Sequence, residues 1–250
     1  ALLWLYRWPG QQLWRRPGGL MAPVTLSGRV SFVIPVLNEE QLVGPLLTDL
    51  RQRYPACELI VVDGGSHDQT VATAMPLCDQ LLIGKPGRAG QMNLGGEVAG
   101  AEYLLFLHAD SRPGVSAERL GRYLDSQPEW GFCRVRLSGE RRALRVIEWF
   151  MNLRSGLTSV ATGDQMLFLR RDLFGPTGGF DAIPLMEDVA YTKRLRRRAA
   201  PLVIREPVTT SSRRWEEGGL VATVVRMWLL RLAYFLGVSP QSLWRHYYGP

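Results

Sequence analysis

Val30-Ser-Phe-Val-Ile-Pro-Val36, Leu59-Ile-Val-Val62 and Tyr103-Leu-Leu-Phe-Leu107 are continuous apolar runs, and each ends abruptly in polar residues: Leu37-Asn-Glu39, Asp63-Gly-Gly-Ser66 and His108-Ala-Asp110. Runs of this length without polar alternation read as strands covered on both faces, as in a parallel sheet. Between them the period changes. Leu42, Val43, Leu46, Leu47 and Leu50 recur at helical spacing, residues 71–75 suit a short helix, Leu81-Leu-Ile83 a shorter strand, and residues 89–98 another helix. Strands alternating with helices imply βαβ units. The expected fold is therefore α/β, a Rossmann-like, mostly parallel sheet flanked by helices.

After about residue 126 the pattern loosens. Residues 131–137 and 165–169 read as strands around a long helix near residues 141–155, and Gly178-Gly179 leads to Pro184-Leu-Met-Glu-Asp188 and a basic helix. No linker interrupts the chain. The expectation is one catalytic domain over residues 29–215, with a ligand-holding half (29–113) and an acceptor-side half (114–215). Residues 1–28 read as a poorly ordered leader whose apolar start is too short for a signal-peptide core. Residues 216–250 read as an amphipathic helix and tail. Arg226 and Arg231 interrupt its apolar stretch about 140° apart, so the polar face should be broad. Such a helix packs on the core or lies on a membrane surface, and arginines at these positions oppose a spanning role.

Across 250 residues, 46% hydrophobic and 21% charged composition excludes wholesale disorder. Thirty basic against 23 acidic residues give a net charge of +7, which favours anionic partners. Nucleic acid is not the expected one: the densest basic run, Lys193-Arg-Leu-Arg-Arg-Arg198, contains no interleaved aromatic residue. Cys57, Cys78 and Cys133 are odd in number and lack metal-ligand spacing, which favours a reducing, cytoplasmic setting.

The chemistry is expected where strands end, because open parallel sheets bind ligands beyond their carboxyl edge. Asp63 and Asp110 both stand there. A strand-end Asp alone is usually a turn cap, but two on one edge with acidic residues downstream suit a hard cation, Mg²⁺ or Mn²⁺, shared with substrate phosphates. No Walker phosphate loop is present, so phosphates must be held by metal and by basic groups, for which Lys85, Arg88, Arg213 and Arg214 are candidates.

Val30-Ser-Phe-Val-Ile-Pro-Val-Leu-Asn38 with Glu39, Val61-Val-Asp-Gly-Gly-Ser66, Gly87-Arg-Ala-Gly-Gln-Met-Asn93 and Leu107-His-Ala-Asp110 together resemble a GT-A-fold glycosyltransferase of family 2. Gly163-Asp-Gln165, Gly178-Gly-Phe180 and Met186-Glu-Asp188 continue the resemblance in order. The His-Ala-Asp and Pro-Leu-Met-Glu-Asp variants look closest to the subgroup known as radical-SAM/selenodomain-associated transferases. The resemblance implies a nucleotide-sugar donor, UDP-linked, contacted by Glu39, Asp63, Arg88 and His108. It implies a metal ion, Mn²⁺ or Mg²⁺, on Asp110, where His108 replaces the first acidic residue of the usual Asp-x-Asp. It makes Asp188 the general base of an inverting displacement. Asp164, Glu187 and Trp215 become acceptor-side residues, and Arg213 and Arg214 a clamp on the diphosphate. Ser211-Ser-Arg-Arg-Trp215 resembles a processive motif with Ser in place of Gln, which argues against a polymerase. Glu187 and Asp188 are adjacent on a helix, so only one is expected to face the cleft. The acceptor stays open, with a lipid-linked hydroxyl and peripheral contact at the inner face of a membrane suiting the C-terminal helix. Competing readings are a metal-dependent nucleotidyltransferase and a non-catalytic membrane-surface or nucleic-acid-binding module.

Overall fold

In a computed structural model, residues 13–15, 26–213 and 219–249 are described. The elements run β1 (Leu13–Arg15), β2 (Val30–Val36), α1 (Glu40–Arg53), β3 (Glu58–Asp63), α2 (Thr70–Ala74), β4 (Gln80–Ile83), α3 (Arg88–Val98), β5 (Tyr103–Phe106), β6 (Ser111–Arg112) and α4 (Ala117–Leu124). They continue with β7 (Trp130–Leu137), α5 (Arg142–Thr158), a 3₁₀ turn (Gly163–Gln165), β8 (Phe168–Arg170), α6 (Arg171–Phe174), α7 (Glu187–Leu195), β9 (Leu202–Thr210), α8 (Leu220–Phe235) and α9 (Pro240–Tyr248). One sheet orders the strands β1-β4-β3-β2-β5-β8-β7-β9-β6.

Its centre is parallel. Val36 pairs in register with Asp63, which pairs with Ile83, and Val33 pairs with Phe106, so these strands finish along one edge. The apolar runs explain why. Phe32, Ile34, Leu59 and Val61 face one layer, with Leu46, Leu47, Leu50 and Tyr54 of α1 and its exit. Val33, Ile60 and Val62 face the other, with Met92 of α3 and Phe174, Phe180 and Tyr191 from the second half. Alternate residues enter opposite cores, so every position must be apolar. β8 enters antiparallel beside β5, and β7 and β9 extend the sheet through the acceptor-side half.

Three departures from expectation have local causes. Leu13–Arg15 pairs antiparallel with β4, so part of the expected leader forms an edge strand. Leu26 is buried in the core, which moves the start of the packed domain ahead of residue 29. The other residues before 26 lie outside the described residues. β9 was not legible in sequence because Pro207 breaks its pattern. The ladder with β7 is irregular there: Cys133 pairs with Ile204 but Val135 with Val208, and the bulge accommodates a proline that has no N–H to give.

α3 lies close against the sheet. A Cβ added at Gly95 would stand 2.4 Å from Val33 Cγ1 and 3.0 Å from Val62 Cγ2. Gly95→Ala is therefore expected to lose about 1–3 kcal/mol in urea unfolding through overpacking, more than the ~1 kcal/mol of helix propensity that alanine gains. Unchanged or raised stability would show that α3 does not pack this closely.

Candidate active site

Loops leaving the parallel strands build one wall of a cleft. After β2 the chain turns through Asn38, whose φ is 54°, and the Asn38 N–H donates to Ser66 Oγ at 2.8 Å. The Glu39 N–H donates to Thr70 Oγ1 at 2.7 Å, and the His67 N–H to Asn38 Oδ1 at 2.9 Å. The loops after β2 and β3 are thus one hydrogen-bonded unit. Behind them, Gln91 of α3 is buried and donates from Nε2 to the carbonyls of Val36 and Val62, both at 2.8 Å. One side chain thus ties the carboxyl ends of β2 and β3 together.

The opposite wall comes from the second half. Asn93 and Phe180 exchange two hydrogen bonds: Nδ2 donates to the Phe180 carbonyl and the Phe180 N–H donates to Oδ1, both at 2.8 Å. Gln165, fully buried, donates to Ser155 Oγ at 2.9 Å and to the Cys133 carbonyl at 3.3 Å, and so anchors the 3₁₀ turn to α5 and β7. Gly163 must be glycine, because a Cβ there would stand 2.4 Å from His108 Cε1. Met186 precedes α7 in the left-handed region at φ 69° and swings Glu187 and Asp188 into the first helical turn. A non-glycine residue held there signals a functional constraint.

The cleft has a volume of about 1720 Å³ and is lined from both halves. Glu39, Arg88, His108, Asp110, Asp164, Glu187, Asp188 and Arg213 all line it. Glu187 and Asp188 do so together, which corrects the expectation that only one faces in, although Glu187 is buried. Asp63 does not line the cleft. It is 1% exposed, and its carboxylate accepts from the N–H groups of Gly65 and Ser66 at 2.8 and 2.9 Å and from Ser66 Oγ at 2.5 Å. The expected convergence of Asp63 with Asp110 and Asp188 is therefore absent: Asp63 caps its own turn behind the wall. Lys85 is exposed and does not line the cleft. Arg214 and Trp215 lie outside the described residues.

Two electrostatic groups result. On the nucleotide side, burial and then the Asp110 charge raise the Glu39 carboxyl, while Arg213 and His108 pull it down. Asp110 is exposed; its Oδ1 accepts from Ser111 Oγ at 3.2 Å and from Thr210 Oγ1 at 3.5 Å. On the acceptor side, burial and then Asp188 raise Glu187, opposed by Arg88 at 3.6 Å. His108 Nδ1 stands 3.6 Å from Asp164 Oδ1 and connects the two groups. Asp188 accepts from the Gly163 N–H at 2.7 Å and from the Val189 N–H at 2.6 Å, one bond to each oxygen. A carboxylate has about four lone-pair sites, so acceptor capacity remains.

The stretch 151–155, for which sequence left acceptor-site lining and helix packing both open, brings Arg154 into the cleft lining from α5. Burial lowers its pKa, the Asp188 and Asp164 charges oppose that, and Nη2 makes no hydrogen bond. The signal was one basic residue among the apolar Phe150, Met151, Leu153 and Leu157. The basic run at 193–198, by contrast, is largely engaged. Arg194 pairs with Asp181 at 2.9 Å, Arg198 with Glu129 at 2.7 Å, and Lys193 stands over the Tyr234 ring at 4.9 Å.

The family model for glycosyl transferase family 2 matches residues 31–173. A curated glucosyl-3-phosphoglycerate synthase of Mycolicibacterium smegmatis is 37% identical over 75 residues, covering 28% of this chain and 25% of the relative. The S. aureus TarS 1–349 structure in complex with UDP superposes with a TM-score of 0.58 at 18% identity over 73% of this chain and 60% of that one. The mannosyltransferase PcManGT of Pyrobaculum calidifontis, in complex with GDP-Man and Mn²⁺, gives 0.56 at 20% identity, with 73% and 56% covered. This chain spans a quarter of the curated relative and less than two thirds of either structure. At these identities the structural likeness establishes the fold, the expected GT-A α/β architecture.

The raised Glu187 carboxyl has a consequence for stability. Its folded pKa lies above the ordinary 4.5, so its contribution is fully present below that value and is lost as pH rises through the folded pKa. Glu187→Gln is expected to raise Tm over wild type at about pH 8 and to converge with it near about pH 4. A lower Tm than wild type at the higher pH would mean that pairing with Arg88 outweighs burial.

Proposed function

The chain belongs to glycosyl transferase family 2, and we propose that it moves a sugar from a nucleoside-diphosphate sugar to an acceptor hydroxyl in one inverting displacement. The observation that carries this reading is the position of Asp188. Its carboxylate is held by two backbone N–H groups and lines the same cleft as Glu39, Asp110 and Arg213. Base and leaving-group side thus face one volume. Asp188 accepts the proton of the acceptor hydroxyl as its oxygen bonds to the anomeric carbon. The bond from that carbon to the diphosphate breaks on the opposite face, and the electron pair leaves with the diphosphate. Arg88 and Arg213 place positive charge in the same cleft, where a departing dianion gains most from it. Arg214, next in sequence, belongs to that clamp in this reading.

The nucleotide-side residues suit a hard cation. The Asp110 charge raises Glu39, a repulsion that a divalent ion relieves. Among the described residues no group of three His, Cys, Asp or Glu side chains could hold a metal ion; Mg²⁺ or Mn²⁺ here would take one or two carboxylates and complete its shell from water and phosphates. Bound on Asp110, the ion would neutralise charge on the diphosphate. His108 supplies a hydrogen-bonding imidazole rather than a second carboxylate. Asp63, which must exchange the Ser66 hydroxyl for a ligand group to take part, is kept as a nucleotide contact in this reading. Asp164, Glu187 and Trp215 fall to the acceptor.

A UDP-linked donor has support from the UDP complex of one structural neighbour. The curated relative's name makes 3-phosphoglycerate the first soluble acceptor to try. Kinship with the radical-SAM/selenodomain-associated subgroup rests on the His-Ala-Asp and Pro-Leu-Met-Glu-Asp variants alone. Cys57, Cys78 and Cys133 are all buried, and this reading keeps the chain in a reducing, cytoplasmic setting. Contact with the inner face of a membrane belongs to the same reading.

Asp188→Asn is expected to keep UDP binding, read by thermal shift, and to lower sugar turnover roughly 10²–10⁴-fold; turnover near wild type removes it as base. Asp110→Asn is expected to abolish the additional UDP-induced Tm shift that Mn²⁺ gives the wild type. If the Mn²⁺ increment persists, the ion does not sit on Asp110.

A further inference from the structure

The cleft is larger than its chemistry requires. Small-molecule sites usually occupy about 300–1,000 Å³, against about 1720 Å³ here. The surplus lies toward α5 and α8. α8 rests on the start of α7 through Leu230, packed with Met186 and Val189, and on α9 through Leu243. Arg226 is exposed, as expected, and donates to the Tyr247 carbonyl at 2.6 Å while standing over the Tyr247 ring at 4.7 Å. Arg231 lines the cleft.

Apart from Arg226, what α8 turns outward is mainly apolar. Trp228 is 66% exposed, Leu229 60% and Phe235 76%. The facing helix does the same: on α5, Trp149 is 58% exposed and Leu157 77%. Exposed apolar surface on this scale marks an interaction site. It is also continuous with the cleft, because Phe150, Leu153, Leu157, Trp228 and Leu232 are exposed and line the cavity as well. The charge is one-sided: residues 219–249 contain Arg226, Arg231 and Arg245 and no Asp or Glu. Exposed tryptophan and aliphatic groups beside uncompensated arginine suit the headgroup region of an anionic bilayer. Among the described residues no helix is long and apolar enough to cross a membrane.

We infer that the acceptor is a membrane amphiphile: its apolar chain lies in the trough between α5 and α8 and its hydroxyl reaches Asp188, while the outward stripe of α8 rests on an anionic membrane. This rests on the sugar-transfer reading and names the acceptor class. A small soluble acceptor would leave the trough wet and the apolar stripe uncovered.

The test uses the full chain in three measurements: flotation with phosphatidylglycerol/phosphatidylcholine vesicles, binding of dansyl-undecanoic acid by energy transfer from tryptophan, and UDP thermal shift. Wild type is expected to float with anionic vesicles, more weakly with pure phosphatidylcholine, and to bind the probe. Leu229→Glu with Leu236→Glu, both on exposed positions outside the cleft lining, should reduce flotation about tenfold. Leu157→Glu with Leu232→Glu should reduce probe binding about tenfold. UDP shifts should persist in both. Intact UDP binding with neither flotation nor probe binding overturns the inference and leaves sugar transfer standing. So does transfer to a soluble phosphorylated acceptor without probe binding, or a lipid-free dimer that Leu229→Glu with Leu236→Glu dissociates. Absence of a thermal shift in wild type with UDP and with every other nucleoside diphosphate overturns both readings.

Discussion

The paired hydrogen bonds between the Asn93 carboxamide and the Phe180 backbone join the two halves of the molecule at the cleft. Asn93 belongs to α3, which is seated on the parallel sheet at Gly95 and holds the strand ends of β2 and β3 through Gln91. Phe180 stands seven residues before Glu187 and packs on Tyr191 of α7 with ring centroids 4.6 Å apart. One helix therefore sets the nucleotide edge and, through Phe180, the helix that carries the base. If this connection slackened, the distance between leaving group and base would be set by loops alone, and misplacement of about 1 Å in a reacting group can cost about a hundredfold in rate.

The charges in the cleft follow from that rigidity. Glu39 and Glu187 are both pushed toward their neutral forms by burial and by a neighbouring carboxylate, and each has one guanidinium opposing the shift. Arg154 is pushed the other way by its own burial. A fold selected for stability alone would not keep acids and an under-bonded arginine this close together. Their juxtaposition is what a site for a polyanionic donor and a proton-releasing acceptor requires.

The parallel core was readable because Phe32, Val33, Ile34 and Leu59 to Val62 must fill two apolar layers at once, a demand that leaves an unbroken hydrophobic run. The strand ends, and Asp110 beyond one of them, followed from the same rule; Glu39 and Asp188 were expected from the family resemblance alone. Asp63 was expected in the cleft because a strand-end Asp that faces a cleft and one that caps its own turn look alike in sequence; here the Gly65 and Ser66 N–H groups and the Ser66 hydroxyl hold its carboxylate. Arg226 was legible as a surface residue and is exposed; what helical period does not show is that its guanidinium reaches the carbonyls ending α9. Helix geometry led to the expectation that only one of Glu187 and Asp188 faces the cleft, whereas both line it. β9 was hidden by Pro207, which a bulge tolerates and a regular strand does not.

The account stands or falls on which bond of the donor is broken. Wild-type protein given a panel of nucleoside-diphosphate sugars with Mn²⁺ and vesicle or soluble acceptors, with products separated by ion-exchange chromatography, is predicted to release nucleoside diphosphate and to transfer the sugar with inverted anomeric configuration. Release of nucleoside monophosphate or pyrophosphate, or transfer with retained configuration, would contradict it.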